Sequence, residues 1–552
     1  MKRDWFKKIV VLMLIWIVAI VPVCSAETLD TQKETRANLK FVEMKYEHID
    51  YKEIEGMLDK LKEIDESEEE EIYRWNEEFF NLYYKINTMI QISKLKYQLY
   101  NDQSHYFEEY LYSVDLLGKM KSAYLEVFED ETDSTKGLSS DMSKYYELNI
   151  ERSKLIDEYT SKQSNVAIDV EGKKMKLVDI IEDGSLDDKS FAKLYNEWYD
   201  TYNHEVGEIL LKLVKIDNQL VKIKGCKTYA EYAYSGYSRD YTPEDTKVFI
   251  ANVKKYVPEI FKKLYMSNMA ADYILQKYTY KDQNELLKNI EENLISHYDQ
   301  LKKAYDYMVK YELFDIETRS NKETGGFTTY FEEYLEPFMV LNYQKKYETA
   351  LTFIHEFGHF YAYYQIGANE GGLDLDETYS QAMELLAMPY YGSIFKDEKF
   401  SNAAKVFTIE SLLGAIIQGC LYEEFLNEIY QNPNITVDEM NELYGRLAKG
   451  YGLSVDNRSW CTVTHNFEMP YYYMSYSVSA VAAFEIWNES LVDMDRGMDI
   501  YFKLVEAGRE HSFIESLEAL GLKNPLKSEA LEEIMTSVDK YFSVDKKAKQ
   551  AA

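Results

Sequence analysis

Glycine and proline, which interrupt secondary structure, and cysteine, which can cross-link it, are scarce in this chain. Its 552 residues include 23 glycines, 8 prolines and 4 cysteines. Glycine and proline disfavour helix interiors, so their scarcity, beside abundant Glu, Lys, Leu and Tyr, predicts a mostly α-helical protein. The cysteines beyond residue 26 are Cys226, Cys420 and Cys461, and none of them has C-x-x-C spacing. This pattern excludes a disulfide framework and does not support a cysteine-based zinc site.

Basic residues are outnumbered by acidic ones. Lys and Arg total 63 against 96 Asp and Glu, which gives a formal net charge of −33. So acidic a chain repels nucleic acid and anionic membrane surfaces, and we expect neither as a partner. The simplest consequence of the charge is solubility rather than the attraction of a substrate.

The N-terminus carries the one predicted membrane-related segment. A basic start over residues 2–8 precedes the 15-residue apolar run Ile9–Val23, and Cys24-Ser25-Ala26 follows. This order predicts a signal peptide over 1–26, cleaved after Ala26, and a secreted or extracytoplasmic protein. The run is shorter than the roughly 20 residues of a spanning helix. If the leader is kept, residues 9–23 would anchor the protein at the cell surface, and stable membrane association is expected only then.

The remaining sequence predicts two helical domains. Residues 27 to about 165 read as long amphipathic helices, with an apolar stripe at helical spacing over 67–101. A hairpin is predicted over 166–177, where residues alternate around a glycine. We place a boundary near residue 200, giving an N-terminal helical domain over 27–200 and a catalytic domain over 201–545. Residues 324–343 predict a short sheet directly before the candidate site.

Two histidines and a glutamate stand together in the stretch His355–His359, which reads H-E-F-G-H. The surrounding Tyr347–Ile366 has no proline and many apolar side chains, which predicts a buried helix. Residues four apart on a helix lie one turn apart on nearly one face, so both imidazole rings reach one point. Glu356 lies beside that point. H-E-x-x-H on a helix is the arrangement of zinc metallopeptidases, in which the imidazoles hold the metal and the glutamate is the general base.

A catalytic zinc also needs a third protein ligand and an open position for water. Glu377 follows His359 by 18 residues, on the first turn of a second predicted helix, and can face the motif across a helical hairpin. The alternative ligands are Glu370, Asp374 and Asp376. Glu384 lies seven residues after Glu377 on nearly the same face, which suits the role of orienting an imidazole.

These residues carry a resemblance to a known family. Glu377–Glu384 resembles the E-x-x-S-Q-x-x-E element of the thimet oligopeptidase and oligoendopeptidase F family of zinc peptidases, and His355–His359 resembles its H-E-[FL]-G-H. Gly325–Asn342 is similar to the family's strand before the motif helix, and Tyr229–Asp245 is similar to its oligoendopeptidase F branch. The resemblance covers about residues 160–500 and favours Glu377 as the third ligand, although the loop between the two metal helices is shorter than usual.

The resemblance implies a mostly α-helical, two-lobed zinc-peptidase fold with a deep substrate channel and a small β-sheet beside the active-site helix. It implies one Zn²⁺ per chain, held by His355, His359 and Glu377. It also implies a zinc-activated water that gives its proton to Glu356, which then passes the proton to the leaving amine.

A downstream cluster is implied to serve the same reaction. The resemblance assigns the stabilisation of the oxyanion to a histidine and tyrosines of the stretch Trp460–Tyr476. His465, Tyr473 and Tyr476 fit these roles best. Tyr472 is the alternative to the other two tyrosines and is expected to contact substrate.

Substrate contacts are also expected at the strand before the motif helix. The edge of a strand at Gly325, Gly326 and Phe327 can hydrogen-bond an extended peptide. A channel admits short unfolded peptides and excludes folded proteins, so the implied function is an exported, zinc-dependent oligoendopeptidase that cuts internal bonds of oligopeptides. The alternative is a secreted or membrane-anchored helical protein that binds peptides without turnover. Product formation separates the two.

Overall fold

The computed structural model describes residues 36–64, 69–99, 103–129, 136–319, 322, 325–342, 347–368 and 372–551. Helices dominate these residues, so the predicted mostly-α fold is confirmed. The predicted signal peptide and the alternative ligand Glu370 lie outside the described residues.

The elements up to the small sheet, in chain order, are α1 (Tyr51–Glu63), α2 (Glu69–Leu99), α3 (Gln103–Glu129), α4 (Lys136–Asn165), β1 (Ala167–Val170), β2 (Lys173–Lys176), α5 (Leu177–Glu182), α6 (Asp188–Lys224), α7 (Tyr229–Gly236), α8 (Pro243–Leu275), α9 (Gln283–Asn293), α10 (Asp299–Lys310), β3 (Phe314–Asp315), β4 (Gly325–Phe331) and β5 (Glu336–Asn342). The later elements are α11 (Tyr347–Ile366), α12 (Leu373–Ala387), α13 (Tyr391–Phe395), α14 (Glu398–Gln431), α15 (Val437–Gly450), α16 (His465–Glu468), α17 (Tyr473–Val492), α18 (Met494–Ala507), α19 (Phe513–Ala519) and α20 (Ser528–Ala551).

The chain forms two compact units, each built from three separate stretches. The first unit takes in the described part of Met1–Thr135 together with Lys263–Leu412 and Ala482–Asn524. The second consists of Lys136–Lys262, Leu413–Val481 and the described part of Pro525–Ala552. These units do not follow the predicted domains over 27–200 and 201–545.

The difference arises because residue 200 lies inside α6, where nothing breaks the chain. The Asp187 side chain caps the start of this helix by accepting a 2.7 Å hydrogen bond from the Ser190 amide. Gly225 ends the helix in the left-handed conformation, with φ of 71°. A stripe of buried residues from Trp198 to Val221 runs between these ends. A continuous, well-capped helix therefore spans the predicted boundary.

The predicted hairpin over 166–177 is confirmed by β1 and β2, which pair antiparallel with Ala167 opposite Lys176. The turn residues Glu171 and Gly172 both have positive φ, 54° and 85°. Two consecutive left-handed residues are typical of the tight turns that match the twist of a hairpin.

The small sheet lies against α11. Its strand order is β3-β5-β4, and every residue of the central strand β5 is buried. β4 pairs antiparallel with β5, with Thr328 opposite Met339. A Cβ on Gly326 would lie 2.4 Å from Leu341 Cδ2 and 2.7 Å from Thr352 Cγ2, so glycine at this position lets β4 approach the helix closely. The predicted sheet beside the motif helix is confirmed.

One described helix, α14, is long and apolar enough to cross a membrane by length and composition. In the structure, 67% of its most apolar stretch is buried within the protein. Core helices of globular proteins show the same burial, so α14 is only weak evidence for a membrane segment.

Candidate metal centre

The H-E-x-x-H motif lies on α11, whose backbone packs directly against α12. Predicted core residues on α11 are buried, namely Phe353, Ile354, Phe357 and Phe360. A Cβ on Gly358 would lie 2.7 Å from both the Cα atom of Ser380 and the carbonyl oxygen of Tyr379. Side-chain carbons do not come so close to backbone atoms, so glycine allows the two helices to touch. The contact brings the second histidine of the motif next to the first turns of α12.

The structure brings His355, His359 and Glu377 together. The Nε2 atoms of the two histidines lie 3.7 Å and 3.8 Å from Oε2 of Glu377. Ligand atoms of all three residues lie within 4.8 Å of one another. The separations of 3.7 Å and 3.8 Å between histidine nitrogens and the Glu377 oxygen are too long for hydrogen bonds. They are close to the roughly 3.4 Å expected between ligand atoms that each lie about 2.0–2.1 Å from a tetrahedral metal.

The alternative third ligands do not join this group in the described part of the chain. Asp374 and Asp376 are buried on the first turn of α12, at 2% and 4% exposure. The group of residues that could hold a metal ion contains neither of them and does contain Glu377.

The first histidine is held in one orientation by Glu384. Nδ1 of His355 lies 2.7 Å from Oε1 of Glu384. An ionised carboxylate only accepts, so Nδ1 donates to Glu384, and Nε2 is the ring nitrogen that faces Glu377. Burial lowers the pKa of His355, but the bond to Glu384 and the nearby Glu356 outweigh it and raise this pKa to about 9. Glu384 thus lies where a residue that orients an imidazole should lie.

The general-base candidate Glu356 is buried, with 4% of its surface exposed. The hydroxyl of Thr328 on β4 lies 2.8 Å from Oε2 of Glu356 and donates to it. Burial raises the pKa of Glu356 to about 7, although His355 and Thr328 oppose the rise. A carboxyl group whose pKa lies near neutrality is suited to take and return a proton. Thr328 was not predicted from the sequence.

The second histidine, His359, is buried more deeply in the pair of helices, at 8% exposure. Burial and the neighbouring His355 lower its pKa well below the usual value, whereas the main chain of Asp376 opposes this. A histidine that stays neutral can offer a ring nitrogen to a metal. A metal displaces the proton of a ligating histidine such as His355, so two imidazoles and one carboxylate in this largely buried position form a donor set that fits Zn²⁺.

The predicted peptide-binding residues Gly325, Gly326 and Phe327 lie at the start of β4. This strand is at the edge of the sheet, and in the described chain β5 is its one paired neighbour. All three residues are partly exposed. An edge strand of this kind can pair with an extended chain. Their contact with a substrate stays a prediction.

In the second unit, the structure brings the three predicted tyrosines together around His465. The centroid of its ring lies 4.7 Å from that of Tyr472, 5.2 Å from that of Tyr473 and 6.1 Å from that of Tyr476. Burial lowers the pKa of His465 to about 4, so its ring is neutral at pH 7 and has one N–H donor. The assignment of these residues to an oxyanion stays a prediction.

Known proteins support the family resemblance seen in the sequence. The model of peptidase family M3 matches residues 294–536, which include β4, β5 and the three candidate ligands. Oligopeptidase PepF of Bacillus subtilis (strain 168) is 21% identical over 353 residues, covering 59% of this chain and 52% of the relative. The plasmid oligoendopeptidase F of Lactococcus lactis subsp. cremoris is 20% identical over 366 residues, covering 60% and 59%. The chain thus matches between half and three fifths of the length of these relatives.

Solved structures share the fold. The structure of PZ peptidase A with inhibitor 2 has a TM-score of 0.72 at 20% identity, over 92% of this chain and 99% of that one. Oligoendopeptidase-F from Enterococcus faecium has a TM-score of 0.59 at 13% identity, over 91% and 98%. At these identities, the likeness shows the fold alone. The resemblance predicted from the sequence is therefore confirmed: residues 294–536 match peptidase family M3, and the chain is similar to oligoendopeptidase F.

Proposed function

We propose that this chain is an exported, zinc-dependent oligoendopeptidase that hydrolyses internal peptide bonds of short unfolded peptides. The observation that carries the proposal is the convergence of two imidazole nitrogens and a carboxylate oxygen, with Glu356 beside them. The names of the relatives, oligopeptidase and oligoendopeptidase, support the choice of substrate class.

Residues of the first unit would supply the metal ligands and the general base of the reaction. His355, His359 and Glu377 would hold one Zn²⁺, which when bound acts as a Lewis acid and lowers the pKa of water. Glu356 takes the proton of the attacking water and passes it to the leaving amine. Thr328 holds the carboxylate of Glu356 in place through its 2.8 Å hydrogen bond, so the base needs little reorientation.

The peptide itself would be held by its main chain. The edge of β4 offers backbone groups that can extend the sheet by one strand, which aligns a peptide whatever its side chains. Donors aimed at the developing oxyanion are needed as well. We assign that role to His465, Tyr473 and Tyr476, with Tyr472 contacting substrate, because they form one aromatic cluster with polar tips.

Removal of the metal tests the proposal directly. Purified protein is expected to contain one Zn²⁺ per chain and to cut a mixture of short peptides at internal bonds. A chelator should remove both the zinc and the cleavage, and added Zn²⁺ should restore both. Metal analysis beside mass-spectrometric mapping of the products checks this. Peptides that are bound but returned intact by the zinc-loaded protein would point instead to a binding protein without turnover.

Glu384 provides a second test, because it acts on the metal through His355. In Glu384→Gln the charge is lost and the hydrogen bond to Nδ1 weakens, so the affinity for Zn²⁺ is expected to fall about 10- to 100-fold. Competition with a chromogenic chelator measures the affinity. Glu336→Gln is the matched control, since Glu336 is also hydrogen-bonded, to the Tyr307 hydroxyl at 2.5 Å, and is buried away from the metal ligands. Equal zinc affinity in the two variants would contradict the role of Glu384.

We also propose that residues 1–26 are a cleaved leader and that the protein acts outside the cytoplasm. The basic start, the apolar run Ile9–Val23 and the following Cys24-Ser25-Ala26 support this. N-terminal sequencing of the mature protein is expected to begin at Glu27. A mature chain that begins at Met1 and sediments with membranes would show instead that residues 9–23 are kept as an anchor.

A further inference from the structure

The segment that joins α16 to α17 in the second unit has an irregular backbone. It contains Pro470, which lacks an amide donor, and Tyr471, which has a φ of 70° although it is not glycine. A residue in this left-handed region is strained and keeps its conformation only where its surroundings fix it. His465 lies before this segment, and Tyr473 and Tyr476 follow it. The conformation of the segment therefore decides how these side chains are presented.

Arg239 holds the second half of the segment. Its Nη2 atom donates to the carbonyl oxygen of Tyr471 and to the hydroxyl of Ser475, both at 2.9 Å. The Tyr237 hydroxyl donates to the carbonyl oxygen of Pro470 at 3.0 Å. The guanidinium group lies over the ring of Tyr234, with 4.3 Å between Cζ and the ring centroid. Two consecutive carbonyl groups outside regular structure thus receive side-chain donors.

Arg152 holds the end of α16, directly before the segment, in the same way. Its Nη2 atom lies 3.3 Å and 3.2 Å from the carbonyl oxygens of Phe467 and Glu468, to which it donates. Its Nε atom donates to Asp217 at 2.9 Å. Asp217 is fully buried and also accepts a 2.6 Å hydrogen bond from the Tyr430 hydroxyl. The guanidinium group is therefore fixed on one side by a buried carboxylate and presents its other edge to the last carbonyl groups of α16.

We propose that Arg239 and Arg152 are positioning residues for the reaction, because they fix the main chain over 467–475 and thereby the orientation of His465 and the tyrosines that follow. This inference rests on the proposed peptidase function. Desolvating charged groups costs free energy, and shielded ion pairs add little net stability, so stability alone does not account for two half-buried arginines at one short segment. A fixed catalytic geometry does account for them, since small displacements of reacting groups slow a reaction strongly.

Conservative substitutions of Arg239 and Tyr237 can distinguish a role in positioning the catalytic groups from a role in folding. Arg239→Lys keeps the charge but loses the planar group that bonds two acceptors. Tyr237→Phe removes one hydrogen bond and keeps the ring. The matched controls are Arg458→Lys and Tyr451→Phe. Arg458 lies over the Tyr199 ring at 4.3 Å, and the Tyr451 hydroxyl donates to Glu424 at 2.6 Å, so both are packed and bonded without touching the segment.

The kinetic readout is the split between kcat and KM on a short peptide. We expect Arg239→Lys to lower kcat about 10- to 100-fold, with KM within about twofold of the wild type, because geometry in the reacting complex is lost rather than substrate binding. Tyr237→Phe should lower kcat several-fold, and both controls should keep it. If Arg239→Lys does not fold, Tyr237→Phe carries the test. Unchanged kcat in a folded Arg239→Lys or in Tyr237→Phe would overturn the proposal.

An independent readout does not require peptidase activity. Hydrogen–deuterium exchange over residues 465–476, followed by mass spectrometry, should be faster in Arg239→Lys and Tyr237→Phe than in the wild type and the controls. Unchanged exchange in both variants would show that the arginine does not hold the segment. If the wild type cuts no peptide, the proposed function fails. The exchange experiment still decides whether Arg239 fixes this backbone.

Discussion

Glu356→Gln is expected to leave the metal bound and to remove nearly all peptide cleavage. Glutamine has the size of glutamate, and its amide oxygen can still accept the hydrogen bond from Thr328, so the fold and the ligands next to it should be kept. An amide cannot take the proton of the attacking water. Loss of general-base catalysis costs about 10²- to 10⁴-fold, so we expect kcat to fall by at least about a hundredfold, with zinc at one equivalent.

The control for this variant is another buried glutamate of the first unit. Burial also raises the pKa of Glu410 to about 7, and only 9% of its surface is exposed. Glu410→Gln makes the same chemical change away from the motif and should keep kcat. A Glu356→Gln protein that retains zinc and cuts peptides at a rate close to the wild type would refute the proposed mechanism. A variant that loses zinc would mean that Glu356 helps to build the metal centre.

The candidate metal centre could be predicted from the sequence because its parts are local. His355 and His359 are one helical turn apart, so their convergence follows from helix geometry alone. Glu377 and Glu384 come from the next helix, and a short connection between two helices restricts how they can face each other. Residues within about 30 positions of one another thus supply the three candidate ligands and the residue that orients one of them.

Contacts between distant parts of the chain could not be predicted in this way. Thr328 reaches Glu356 only because β4 pairs with β5 in one register, and a slip by one residue would turn its side chain to the other face. Arg239 meets Tyr471 across 232 positions of sequence, which no local pattern indicates. The two units escaped prediction for a related reason, since each combines three stretches and the helix α6 passes through the expected boundary.

Gly358→Ala is expected to weaken zinc binding strongly, although alanine favours helices over glycine by about 1 kcal/mol. The new Cβ would lie 2.7 Å from Ser380 Cα and from Tyr379 O, so α11 and α12 must move apart by roughly 1 Å to reach ordinary contact. Metal–ligand distances tolerate only about 0.2 Å. The separation would pull Glu377 away from the histidines, and we expect zinc affinity to fall at least about a hundredfold, with activity lost in parallel.

Gly118→Ala is the control that distinguishes a change in helix spacing from the general effect of replacing a helical glycine by alanine. Gly118 lies inside α3 in the first unit, where an added Cβ would meet nothing within 4 Å, so this substitution should stabilise the protein slightly and leave zinc affinity unchanged. Chelator competition measures the affinity, and thermal unfolding with and without Zn²⁺ measures stability. If helix spacing sets the metal site, added Zn²⁺ should raise the melting temperature of Gly358→Ala far less than that of the wild type. Equal stabilisation by zinc in both proteins would show that the ligands reach the metal without this close backbone contact, and Gly358 would then serve packing alone.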